Sequence, residues 1–160
     1  EMPARSLRSH LNRVLIELER FQPGGETCTA AVLHSMAEKL TRRSLVVLIS
    51  DLIDDEAELM NGLKHFRFAG HEVLVILPMD PAELDFSKFK SRRFIDSETG
   101  SKMAADPHQI ADAVNAESRR FYGRLRLACI NAQVDLLEAS VQRPFDDVLL
   151  EYLMKRRRLS

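Results

Sequence analysis

The chain has few cysteines, no excess of charge of either sign and no long apolar run, and each shortage closes off a class of function. Cys28 and Cys129 stand far apart, without Cys-x-x-Cys or Cys/His ligand spacing. That pattern suits free buried thiols in a reducing compartment, with the cytoplasm as the default, better than a disulfide or a zinc centre. The 23 basic and 24 acidic residues leave a formal net charge of -1. General polyanion binders draw on accumulated Lys and Arg, so no nucleic-acid partner is expected and any basic patch must be local. The longest apolar stretches, around residues 45–49 and 73–77, fall far short of the ~20 residues that span a bilayer. No membrane contact by this segment and no signal peptide are expected. No Gly-rich phosphate loop follows a strand, no His-x-x-x-His pair occurs among His10, His34, His65, His71 and His108, and neither Ser35 nor Ser50 sits in a nucleophile elbow. The machinery of a hydrolase or a phosphoryl-transfer enzyme is therefore not visible.

What is present is the material of one domain. The 160 residues, 45% of them hydrophobic, suffice for a sizeable core. Leu7, Leu11, Val14, Leu15, Leu18 and Phe21 recur at three- and four-residue intervals, which predicts an amphipathic helix ended by Pro23-Gly24-Gly25. Leu33, Met36, Ala37 and Leu40 predict a second helix, with Thr27 or Thr29 as its N-cap. A third carries Leu59, Leu63 and Phe66 and stops at Gly70. Leu45–Ile49 and Val73–Leu77 are continuously apolar, as parallel strands covered on two faces are. Residues 78–90 predict a loop with at most a short helical turn, and Arg93–Asp96 with Lys102–Ala105 predict a small hairpin. Asp106-Pro107-His108-Gln109 is a helix start, Val134–Glu138 predicts a last strand, and Pro144 opens a final helix.

Strand-helix-strand order predicts a doubly wound, mainly parallel α/β sheet. The first helix has no strand before it, and three central strands make a small sheet for five helices. N-terminal strands of a longer parent are therefore expected to lie outside this chain, leaving Leu45–Ile49 at an unpaired edge. Self-association through strand 44–49 is expected to follow, because nothing charged or proline-bearing blocks that edge. Ligands of open α/β sheets bind at the carboxyl ends of the strands, which directs attention to Asp51 and, one helix upstream, to Thr27. Asp51 reads either as part of an ion-binding rim or as a cap on the following helix, and Thr27 either as a ligand or as an N-cap. Asp54 and Asp55 read as solvated helix-start acids. The basic groups Arg119, Arg120, Arg124, Arg126 and Lys155 to Arg158 read as a solvated face and a dipole complement, or as a contact for an acidic partner.

Pro23-Gly24-Gly25-Glu26-Thr27, Arg43 to Leu52, Asp80-Pro81-Ala82-Glu83-Leu84, Phe94 to Gly100 and Tyr152 to Arg157 together resemble the C-terminal half of the bacterial family called domain of unknown function 58. The resemblance implies a von Willebrand factor A-like, Rossmann-like domain, with residues 1–160 a single partial copy of it, whose members are often encoded beside a MoxR-type AAA ATPase. It further implies a metal-ion-dependent adhesion site in which Thr27 and Asp51 are partial ligands. The remaining ligands, an Asp-x-Ser-x-Ser element, would lie upstream. Mg²⁺ is then a cofactor of the intact parent and not one held tightly here, since one hydroxyl and one carboxylate are too few. The function expected is a non-enzymatic protein-interaction module that partners an AAA ATPase assembly. The alternative is an enzyme using the Asp51 rim for phosphate or nucleotide chemistry.

Overall fold

The computed structural model describes residues 2, 7–22, 29–88, 93–95, 100, 102–104 and 106–159. The elements are α1 (Arg8–Arg20), α2 (Thr29–Lys39), β1 (Leu45–Ile49), α3 (Glu56–Phe68), β2 (Glu72–Met79), β3 (Arg93–Ile95), β4 (Lys102–Ala104), α4 (Pro107–Asn131), β5 (Asp135–Ser140) and α5 (Phe145–Leu159). Two 3₁₀ turns, Pro81–Leu84 and Phe86–Lys88, follow β2. The main sheet is parallel throughout, in the order β1-β2-β5, and β3 pairs with β4 as a separate antiparallel hairpin. This is the α/β, doubly wound arrangement that the apolar runs predict, with helices on both faces of the sheet.

Register decides which residues each face buries. Val46 pairs with Val73 and Leu48 with Val75, so these side chains share one face. There they join Leu33 and Ala37 of α2, Leu59, Leu63 and Phe66 of α3, and Leu125 and Cys129 of α4 in the principal core. Burial pushes the Cys129 thiol up to about 11, so it is a protonated core group. The opposite face holds Leu74 and Ile76 under Tyr152 of α5. On that face β1 is bare: Leu45, Val47 and Ile49 are 49%, 47% and 66% exposed. The amphipathic stripe of α1 is exposed as well, and no residue of that helix is buried.

Two strands differ in extent from what periodicity predicts, for reasons seen in the backbone. β2 continues through Pro78 to Met79. Glu72 N–H donates to Ser44 O and Ser50 N–H to Ile76 O, so even-numbered residues of β2 face β1. Pro78 thus turns its missing N–H toward a neighbour that has already ended, and no ladder bond is lost. β5 begins at Asp135 and not at Val134, because the Val134 N–H closes the end of α4 on Cys129 O while Gln133 takes a left-handed φ of 56°. The same closure ends α3, where Gly70 has φ 82°, His71 N–H donates to Phe66 O and Gly70 N–H to Arg67 O.

α2 and α3 approach closely. A Cβ on Gly62 would stand 3.0 Å from the Cβ of Leu33, an atom fixed by its own helix backbone. Gly62→Val is therefore expected to destabilise the fold by about 1–3 kcal/mol through overpacking. At Gly123 of α4 an added Cβ meets nothing within 4 Å, so Gly123→Ala is expected to be neutral or stabilising by up to about 1 kcal/mol. Urea unfolding of the two variants checks both; equal midpoints would show that the helix pair yields at no cost.

Candidate functional site

The carboxyl edge of the sheet is formed by the loops that follow β1 and β2, and its acids are occupied by backbone amides. At the end of β1, Ser50 Oγ accepts from Leu52 N–H at 3.1 Å and Asp51 Oδ1 from Ile53 N–H at 3.2 Å. These two short turns bend the chain back, and Leu52 adopts a left-handed φ of 60° while burying its side chain to 2% exposure. A branched residue at positive φ is strained, and the buried apolar contact offsets that cost. Asp51 remains exposed. It does not cap the next helix: that role belongs to Asp55, whose Oδ1 accepts from Glu58 N–H at 2.9 Å.

Asp54 has the longest reach. Its Oδ1 accepts from Asp55 N–H at 2.8 Å and its Oδ2 from Thr29 N–H at 2.9 Å, across 25 residues. Thr29 is thus the first residue of α2, its amide held by a carboxylate from the β1 loop. The Asp55 amide above all holds the Asp54 carboxyl below the usual range; burial opposes it, and the amides of Thr29 and Ala30 add to the lowering. After β2, Asp80 Oδ1 accepts from Ala82 N–H at 2.9 Å, capping the first 3₁₀ turn. Asp85 accepts from the Ser87 hydroxyl and pairs with Lys88 at 3.2 Å. Asn115 Oδ1 of α4 takes the Phe86 N–H at 2.7 Å, fixing the second turn.

Beside this acid rim lies a groove of about 610 Å³ lined by Ile53, Phe86, Val114, Phe121 and the Tyr122–Glu83 pair. Ile53 is 76% exposed at its lip. The Tyr122 hydroxyl donates to Glu83 Oε2 at 2.5 Å. Burial first, and then the Glu83 and Asp51 carboxylates, push the Tyr122 hydroxyl well above its ordinary range, so it remains a hydrogen-bond donor. The groove gathers residues from three separated segments. Val114 and Phe121 carry the period of a core face, which is why sequence reading passes over them. Glu83 lies in the Asp-Pro-Ala-Glu-Leu element, the one local signal that leads toward it.

Of the two metal candidates, Asp51 sits on the rim and Thr27 lies outside the described residues, as does Cys28. Among the described residues, no three His, Cys, Asp or Glu side chains converge to hold an ion. Near Asp51, Ser50 Oγ, Asp51 Oδ1 and both Asp54 oxygens accept from backbone N–H groups. Several of the basic residues are paired within the chain: Arg120 and Arg124 with Glu117, Arg124 with Glu56, Arg126 with Glu138 and Arg156 with Glu72. No described helix is long and apolar enough to cross a membrane.

An open parallel sheet wrapped by helices, with capped loops and an apolar groove at its carboxyl edge, defines an α/β protein of the Rossmann-like, doubly wound class. The sequence pattern of the family described as "Protein of unknown function DUF58" matches residues 1–120, three quarters of the 160-residue chain, and the chain belongs to that family. No curated protein and no solved structure matches it significantly.

The Asp54 bridge has a pH signature. A carboxyl held below its unfolded value of about 3.9 stabilises the fold above that pH, and the contribution is lost as pH falls through the folded value. Asp54→Asn is expected to lower Tm at neutral pH and to flatten the decline of Tm between about pH 5 and pH 2. Thermal melts followed by circular dichroism check this; parallel curves for the two proteins would show that the bridge carries no charge-dependent stability.

Proposed function

We propose that this chain is a protein-interaction module of the von Willebrand factor A-like type, without catalytic activity of its own, that partners a MoxR-type AAA ATPase through the carboxyl edge of its sheet. The observation that carries the reading is the division of labour at that edge: Asp51, Asp54, Asp55 and Asp80 each spend a carboxylate oxygen on a backbone amide, while the adjoining groove is apolar and open. Acids used as caps are poorly placed to act as general bases, whereas an apolar groove with a polar rim is what a protein partner buries. The family resemblance supports the choice of partner. In the intact parent, Thr27 and Asp51 contribute to a remnant metal-ion-dependent adhesion site for Mg²⁺, and the protein works in the cytoplasm. Ile53 supplies the test because its exposure lets it be changed without disturbing the core. Binding of the chain to a purified MoxR-type ATPase, measured by interferometry, is expected to weaken about tenfold or more in Ile53→Lys, which sets a charge in place of an apolar contact at the lip of the groove. Absence of binding, or equal binding by the variant, would sink the reading.

The same reading includes self-association of this chain through strand 44–49. Ser44 O and Ser50 N–H point to β2, so Leu45, Val47 and Ile49 turn their amides and carbonyls outward. A twofold antiparallel pairing centred on Val47 sets Leu45 opposite Ile49 of the second copy, both with outward hydrogen-bonding groups, and brings Arg43 opposite Asp51. Light scattering is expected to show a dimer that Asp51→Arg weakens and that the double change Asp51→Arg with Arg43→Asp restores. A monomer at high micromolar concentration, or a dimer indifferent to both changes, would refute the pairing.

A further inference from the structure

His34 of α2 and His65 of α3 have the strand β1 and two loops between them in sequence, and no spacing rule joins them. In the fold their ring centroids lie 5.9 Å apart with planes tilted by 47°. The approach is set from below. Leu33, the residue before His34, fills the space left by Gly62, three residues before His65. Leu33 and Leu63 are buried, and the close approach at Gly62 sets the separation of the two helices near the imidazoles. His34 is half-buried and His65 exposed, so the pair sits on a rigid base with access to solvent.

Imidazole nitrogens bind borderline divalent ions at about 2.0–2.1 Å, which puts a ligating ring's centre roughly 3 Å from the ion. Two rings at the observed separation can therefore straddle one ion. No third His, Cys, Asp or Glu converges with them among the described residues, so two nitrogens come from the protein and the remaining positions are filled by water. Nitrogen ligands with open positions favour Cu²⁺, Ni²⁺ and Zn²⁺, and disfavour Mg²⁺ and Ca²⁺, which require oxygen.

We propose that His34 and His65 form a two-imidazole site for a divalent transition-metal ion that clamps α2 to α3. Because one ligand comes from each helix, the ion binds the folded pair and not the separated helices, and binding raises the stability of the fold by mass action. The site is distinct from the Asp51 rim in ligand type as well as in position. The clamp adds to what the Asp54 carboxylate does at the start of α2, where it ties that helix to the loop leading into α3.

The test uses the untagged chain, freed of metal by chelation, with Ni²⁺ and Zn²⁺ as probes and Mg²⁺ as control. Calorimetry is expected to give one ion per chain, and thermal melts are expected to show Tm rising with Ni²⁺ or Zn²⁺ and unchanged by Mg²⁺. His34→Gln and His65→Gln should each weaken binding by about tenfold or more, the loss of one of two ligands, while their metal-free melts report that the fold is intact. With Cu²⁺, electron paramagnetic resonance should show two bound nitrogens in the unchanged chain and one in either variant. No Tm shift with Ni²⁺ or Zn²⁺, an equal shift in both variants, or a copper spectrum unchanged by either substitution would overturn the proposal.

Discussion

The fold depends on β2. Its residues Val73 to Leu77 are buried, its backbone bonds to a strand on either side, and both hydrophobic clusters rest on it, one through Val73, Val75 and Leu77 and the other through Leu74 and Ile76. A strand buried on both faces can carry no polar side chain within its run, which is why the sequence there is a plain apolar stretch. Its entry is fixed by His71, 1% exposed, whose Nδ1 accepts the Ser44 N–H at 3.2 Å and whose carbonyl accepts from Arg67 Nη1 at 2.8 Å. One side chain thus sets the start of β1 against the start of β2. The register of the sheet, and the placement of the loops at its far end, follow from that hook.

Where the sequence carries a local pattern, the architecture can be read from it. The bounds of β1 coincide with its apolar run, Gly70 ends α3 as its type requires, and the hairpin of β3 and β4 lies where residues 93–95 and 102–104 flank a turn-rich segment. Less legible are bonds between distant parts of the chain. Capping rules look three residues ahead, so they offer Thr27 or Thr29 for α2 and Asp51 for α3; Thr27 lies outside the described residues, the amide of Thr29 is met by Asp54 from another loop, and Asp55 caps α3. His34 and His65 are likewise joined only by helix packing. The groove escapes for a further reason: Val114 and Phe121 have the spacing of core residues, and only the position of the turn after β2 leaves them open on one side.

The acid-rich loop after β1 illustrates how one residue type serves opposite ends. Clustered carboxylates suggest an ion or a phosphate site, yet the same oxygens satisfy the amides that helix starts leave unpaired. Here the amides have the first claim. Exposed Asp51 is bonded to Ile53 N–H through Oδ1, and exposed Asp55 to Glu58 N–H through its own Oδ1.

All-parallel pairing also governs the order in which the molecule can assemble. Leu74 pairs with Asp135, and between them the chain must traverse the hairpin and the whole of α4 before β5 reaches its place. Closing so long a loop is entropically costly and slows folding relative to local pairing. β1, α3 and β2 can meet early, since they are consecutive, and β5 with α5 docks last. Until it does, β2 lacks its second neighbour and Leu74 and Ile76 lack the cover of Tyr152. A nascent or partly unfolded chain therefore presents its most apolar strand with one edge and one face uncovered, the species most prone to aggregate and most in need of a chaperone.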